Sequence, residues 1–311
     1  MILLNNFNQN SAPKNYEFVK FPDKPNCNYV KGSENKNGKH SGSIELKITA
    51  VDNLYLGSGF VDFSENSLYA ETLVEDEKAI IPGSSIKGAL RQVCRAISDG
   101  CIPNEKNLKL KNEQKIKCKP GVSTCIICDM FGSMGVASKL IFSDFAAEKF
   151  ALVSCSVGKQ LSPHINSEKY MEKGYNYGYK FYFTGRDPVS DKAQRIKAVK
   201  KGAVFKGKIT FKNLDNKELS LLLFGLGIAS KSDDLKDCEK FSHKLGGCKA
   251  QGFGTVNFKC TGFTLDSEKL TEEAAIEWAK KYIIGNDESC LCSDDCYDSI
   301  KDLTYIMEYK E

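Results

Sequence analysis

Apolar and polar residues alternate in Ser43-Ile-Glu-Leu-Lys-Ile-Thr-Ala-Val51, the period-two pattern of a strand with one buried face. A Gly-rich turn at Leu56-Gly-Ser-Gly59 follows. Pro82-Gly-Ser-Ser then opens a run whose apolar positions recur at helical spacing, which predicts a helix from Ser84 to about Ser98. Further strands are predicted at Lys139–Phe145, Gly178–Thr184, Ala203–Phe211 and Gly254–Phe263. Helices are predicted at Asn216–Gly225 and, around Trp278, from Ser267 to about Ile284. Ahead of the first strand, residues 1–42 are rich in Asn, Lys and Gly and show no period, so they read as an irregular polar leader, disordered in part. Strands and helices interleave, so the expected class is α+β.

Composition narrows the setting. The chain has 311 residues with 41% hydrophobic content, enough to bury a substantial core. No apolar run approaches the roughly 20 residues of a membrane span, and Met1-Ile-Leu-Leu-Asn-Asn lacks the basic start of a signal peptide. The expected location is therefore the cytoplasm, with no membrane partner. Thirteen cysteines, an odd and clustered set, then read as metal ligands and reduced thiols rather than a disulfide framework.

The net charge of +4 conceals a segregation of charge. Residues 78–120 hold ten Lys or Arg against three acids, and residues 192–212 hold eight with no acid. Residues 266–311 reverse this, with thirteen acids against five Lys. A basic body that favours a polyanion carries an acidic, helical extension over residues 266–311.

Three groups of residues carry candidate chemistry. At the helix opening, Ser84 and Ser85 can cap the helix or donate to phosphate oxygens, with Lys87 and Arg91 adding charge. The same grammar also suits an ordinary turn and N-cap. Cys101, Cys118, Cys125 and Cys128 include the Cys125-Ile-Ile-Cys128 spacing that lets two thiolates reach one tetrahedral ion, and zinc fits four thiolates best. The alternative is a reducible pair or apolar filler, and Cys94, among apolar helical neighbours, reads as core. Cys290, Cys292 and Cys296 form a second cluster among acids, for which a free-thiol reading is at least as good as a metal site. The loop His243–Gly254 contains Gly246, Gly247, Gly252 and Gly254, which allow close backbone approach to a phosphate or to the protein's own chain. Lys244 and Lys249 add charge there, and Phe253 a stacking surface.

These elements occur in an order that resembles the RAMP superfamily. The resemblance rests on Leu56-Gly-Ser-Gly59, Ile80-Ile-Pro-Gly-Ser-Ser-Ile-Lys-Gly-Ala-Leu-Arg91, Cys125-Ile-Ile-Cys-Asp-Met-Phe-Gly132 and Leu140-Ile-Phe-Ser-Asp144. Tyr177–Tyr182, Phe205–Leu214, Leu219–Gly227 and the glycine-rich His243–Gly254 extend it over roughly residues 43–263. The resemblance implies a ferredoxin-like, RRM-type core over residues 43–265, used as a backbone subunit of type III CRISPR RNA-guided effector complexes. In such subunits the helix opening and glycine-rich loop grip guide-RNA phosphates without reading bases. A zinc-binding insertion is expected at about residues 99–132, and a β-hairpin thumb within about 160–190. The partners implied are guide RNA, complementary target RNA and other effector-complex subunits.

Several such subunits cut target RNA with an aspartate after the first strand. The segment Phe60–Lys78 offers Asp62 as the candidate, where it would help to position a divalent ion such as Mg2+. Two other readings stand beside the guide-binding subunit. A guide-processing ribonuclease would need a general base from His40, His164 or His243. A zinc-stabilised protein scaffold would leave the basic runs without a role.

Overall fold

The computed structural model describes residues 15–31, 40–64, 66–103, 108–158, 170–184, 192–229, 240–284 and 294–310. At its centre lies the strand His40–Ala50, in which Ile44, Leu46, Ile48 and Ala50 are buried in alternation, as its sequence pattern requires. It pairs antiparallel with Val204–Leu214 on one side and Thr255–Leu265 on the other. Across the sheet the order runs His243–Lys244, Thr255–Leu265, His40–Ala50, Val204–Leu214, Phe145–Ala147, Lys78–Ile81 and Val74–Glu75. Two helices, Gly83–Ala96 and Asn216–Gly225, pack against each other in the main hydrophobic core.

Local chemistry explains most element ends. The helix Asn216–Gly225 begins with a capping box: Asp215 accepts from the Glu218 N–H at 3.0 Å, and Glu218 accepts from the Asp215 N–H at 2.9 Å. Glu218 is fully buried, and Lys139 reaches it at 2.8 Å while also pairing with Asp129 at 2.6 Å. Burial pushes Glu218 up to about 8. The strand expected at Lys139–Phe145 divides into Leu140–Phe142 and Phe145–Ala147. Ser143 turns toward Lys208 between them, and Asp144 leaves the ladder for the first helix.

Three further regions differ from their sequence patterns. Residues 15–31, expected to be irregular, contain the strand Tyr16–Lys20, which pairs antiparallel with Gly178–Tyr182. Val19 and Phe21 supply apolar burial that a polar composition hides. The helix expected from Ser267 starts instead at Glu272, because Asp266 and Ser267 take positive φ and fold Glu268–Leu270 back on the preceding strand. A second sheet, of Leu152–Gly158, Lys192–Val199, Ser67–Thr72 and Gly57–Ser64, carries no period strong enough to be read from sequence.

The acidic extension packs onto the body. In its last helix, Asp294–Ile306, Ile300, Leu303 and Ile306 are buried at helical spacing. The chain beyond is tied down by Ser242 N–H to the Met307 carbonyl at 2.8 Å and Thr184 Oγ1 to the Glu308 carbonyl at 2.8 Å. Cys296 is buried, while Cys290, Cys292 and His164 lie outside the described residues. So do parts of the expected thumb; its described portion, residues 170–184, holds the short strands Met171–Glu172 and Tyr175–Asn176 and the strand Gly178–Tyr182. Among the described residues no helix is long and apolar enough to cross a membrane.

Candidate nucleic-acid interface and thiol cluster

A groove of about 470 Å3 lies between the opening of the first helix, the glycine-rich loop and the strand Gly178–Tyr182. Its helical wall is the stripe Ser84, Ser85, Gly88, Ala89 and Gln92. Ser84, Ser85 and Gly88 are exposed to it. Neither serine caps the helix: the N-cap is Pro82, and the carboxylate of Asp144 accepts the Gly83 N–H at 2.7 Å. That leaves both serine hydroxyls available to a ligand.

Lys87 and Arg91 fall on a neighbouring stripe and do not line the groove. Lys87 Nζ donates to Ser138 Oγ at 2.9 Å, and Arg91 lies near Cys128. Helical spacing puts the two cations together without deciding which way they face.

The glycine loop is built against its own chain and also forms the groove's second wall. Gly247 N–H donates to the Tyr55 carbonyl at 2.8 Å, and Gly254 N–H to the Asn53 carbonyl at 2.9 Å. Gly246 sits at φ +75°, and a Cβ there would meet the Tyr55 oxygen at 2.2 Å. Lys244 lines the groove but is spent internally, donating to the Phe253 carbonyl at 3.1 Å and facing Asp52 at 3.5 Å. Gly246, Gly247 and Lys249 line the groove too, and Lys249 has no acceptor among the described residues. Gly252, in the left-handed region, and Gly254 shape the turn. Phe253 is not a stacking surface, since it is buried with Val157, Ile196 and Cys248.

Sequence reasoning missed the third wall. Lys180 and Tyr182 face the groove from the strand that pairs with Tyr16–Lys20. Lys180 Nζ donates to the Tyr170 hydroxyl at 2.9 Å and lies 3.9 Å from the Tyr16 ring centroid and 4.9 Å from that of Tyr182. The alternation in Gly178-Tyr-Lys-Phe-Tyr182, with Tyr179 and Phe181 buried, was the available signal.

Outside the groove, Asp62 stands on the Gly57–Ser64 strand, with its carboxylate 2.5 Å from Lys197 Nζ. The hydrogen bond from Lys197 holds its pKa below the ordinary carboxylate value. Glu71 approaches the same ammonium at 3.6 Å. Among the described residues, neither His40 nor His243 is poised as a base for catalysis. His40 is bound on both ring nitrogens, by Asp266 at 2.7 Å and Asn216 at 2.8 Å. His243 is buried, and burial pushes it down to about 4.

Cys101, Cys118, Cys125 and Cys128 come together, their Sγ atoms all within 4.8 Å of one another. A tetrahedral zinc site with Zn–S of about 2.3 Å needs S–S separations of roughly 3.8 Å, and Cys101 and Cys128 stand 3.6 Å apart. The Cys125 N–H donates to Cys118 Sγ at 3.1 Å, and the Cys128 N–H to Cys125 Sγ at 3.5 Å. Hydrogen bonds from Cys101 and Cys118 hold Cys125 down to about 7. Hydrogen bonds from Cys101, Cys118 and Cys125 likewise favour the Cys128 thiolate, to which the Arg91 charge adds, and the Arg91 Nε is buried with no hydrogen-bond partner among the described residues. The donors and the cation fit a dianionic four-thiolate site, so the cluster could hold a metal such as zinc. Cys94 takes no part: it is fully buried against the helix Asn216–Gly225.

The chain matches no curated protein. The family model for the RAMP superfamily matches residues 47–257, from the central strand through the groove and glycine loop, which is more than half of the chain. Such proteins generally bind RNA and act in multi-subunit complexes, and they include CRISPR-associated proteins. With the helix opening, the thiol cluster and the glycine loop all inside the matched span, the chain belongs to the RAMP superfamily.

Proposed function

We propose that this chain is a guide-RNA-binding backbone subunit of a type III CRISPR effector complex, acting in antiviral defence in the cytoplasm beside other effector subunits. The groove carries this reading. Two exposed hydroxyls, the side-chain-free backbone of Gly246 and Gly247 and the cations Lys180 and Lys249 converge on one channel. Donors of this kind suit phosphate and sugar oxygens and carry no base-reading pattern, as a subunit that grips guides of any sequence requires. Ser84, Ser85, Gly246, Gly247, Lys180 and Lys249 make the contact, while Lys87, Arg91, Lys244, Gly252, Phe253 and Gly254 hold the walls in place.

The strand order supports a ferredoxin-like, RRM-type core over residues 43–265. The last, first, third and second of its strands, Thr255–Leu265, His40–Ala50, Val204–Leu214 and Phe145–Ala147, lie side by side with the two core helices crossing between them. The four cysteines hold structural zinc in an insertion spanning about residues 99–132. In the extension over residues 266–311, the helices Glu272–Ile284 and Asp294–Ile306 clasp the core, and the thumb falls within about 160–190.

Native purification of the chain, expressed with its neighbouring proteins and a repeat-containing transcript, tests the function. Trimmed guides with a uniform 5′ end are expected in the co-purifying RNA; no RNA, or random host fragments, overturns the proposal. The contacts are tested separately. Lys180→Ala with Lys249→Ala is expected to flatten the dependence of log affinity on log salt by roughly 1.4, at about 0.7 per phosphate on a single strand, for unrelated sequences alike. An unchanged slope removes both lysines from the interface.

One observation favours added catalysis: Asp62 and Glu71 converge on a single ammonium from adjacent strands. If that carboxylate pair exchanges Lys197 for Mg2+, it places an ion for cleavage of guide-paired target RNA. Asp62→Asn is then expected to abolish Mg2+-dependent cleavage with guide affinity unchanged, and cleavage that persists in the variant rejects this role.

A further inference from the structure

A fifth cysteine lies against the four-thiol cluster. Cys27 is buried in the same core as Cys125 and Cys128, and its thiol adjoins that of Cys118. Two local ties put it there. One residue before it, the Asn26 N–H donates to the Asp99 carbonyl at 2.7 Å, two positions ahead of Cys101. Three residues after it, Val30 pairs with Thr124 immediately ahead of Cys125. The leader is therefore pinned to the chain segments beside Cys101 and Cys125, which sets Cys27 next to the cluster.

The five thiols are unequal. Cys125 and Cys128 are buried at the opening of the short helix Ile126–Phe131, where Cys125 Sγ accepts the Cys128 N–H. Cys101 and Cys118 are partly exposed, and Cys118 sits on a lysine-rich loop. Cys101 and Cys118 are thus the two ligands more open to solvent-borne oxidants, and Cys118 is the one beside the buried Cys27. A tetrahedral ion accepts four thiolates, so a fifth in contact has one use that the resting site does not fill: taking the place of a lost ligand.

We propose that Cys27 is a reserve ligand of the metal site, replacing Cys118 when that thiolate is lost. In the exchange the bond between zinc and the residue 118 sulfur breaks, a bond to the Cys27 sulfur forms, and the Cys27 thiol proton passes to water. The proposal rests on the zinc reading above, and full-length protein with no zinc would sink that reading first.

The test is the zinc content of the full chain and of three variants, by elemental analysis after gel filtration. Wild type, Cys27→Ala and Cys118→Ala are each expected to carry about one zinc, and Cys27→Ala with Cys118→Ala to carry none. A zinc-free Cys118→Ala, or a double variant that keeps its zinc, overturns the proposal. Should Cys118→Ala fail to fold, the chelator-driven loss of zinc from wild type and Cys27→Ala decides, since both keep the four primary ligands. Zinc is expected to leave Cys27→Ala on the order of tenfold faster; equal rates overturn the proposal.

Discussion

Removing the metal with a strong chelator, or replacing Cys125 with Ala, is expected to lower the melting temperature by on the order of 10 °C and to open the segment between Cys101 and Cys128 to trypsin. Lys109, Lys111, Lys115 and Lys117 offer cleavage sites in that segment, which has few apolar residues of its own. Structural zinc contributes on the order of 10 kcal/mol to small metal-dependent folds. Here part of that free energy is set against ordering the loop, and a loss of about 4 kcal/mol in a chain this long accounts for the shift. The effect reaches the groove, because the helix Ile126–Phe131, which carries Cys128, packs on the first helix. Calorimetry and a trypsin time course, with and without chelator, check it. Coincident melting curves and digestion patterns would show that the cysteines are apolar filler.

How much of this was legible follows from where each signal resides. The central strand and the helix Asn216–Gly225 were readable because one face is buried, and because Asp215, Glu218 and Gly225 mark the helix locally. The thiol cluster was readable because Cys125-Ile-Ile-Cys128 is itself a geometric statement. Facing directions were not. Lys87 and Arg91 share the first helix with Ser84 and Ser85, yet a period of 3.6 residues says which positions are neighbours and not what each neighbour meets. The cap from Asp144 to Gly83 spans 61 positions, and the contact between Cys27 and Cys118 joins a leader with no periodicity to a loop with none. The second sheet escaped because its strands put apolar residues on the outside: Phe60, Val61, Phe63 and Leu68 are all more than half exposed. Long-range pairing supplies those strands, and local pattern does not record it.

Gly88→Ala and Gly246→Ala are expected to weaken RNA binding about tenfold or more while moving stability in opposite directions. Gly88 lies in the interior of the first helix, where glycine costs roughly 0.5–1 kcal/mol relative to alanine. A Cβ there would meet nothing within 4 Å, so packing gives no reason for glycine. What the missing methyl preserves is width, because Gly88 lines the groove between Ser84 and Gln92. Alanine should therefore stabilise the protein by up to about 1 kcal/mol and obstruct the phosphate backbone at its closest approach to the helix. Gly246 is the converse case. At φ +75° an L-residue costs roughly 1–2 kcal/mol, and its Cβ would collide with the Tyr55 carbonyl, so the loop must leave its seat on residues 53–55. Stability and affinity should fall together there. Denaturant melts and filter-binding titrations on the two variants separate these outcomes. If Gly88→Ala binds RNA as tightly as wild type, the groove is not where the backbone runs, and the contact surface must be sought on another face.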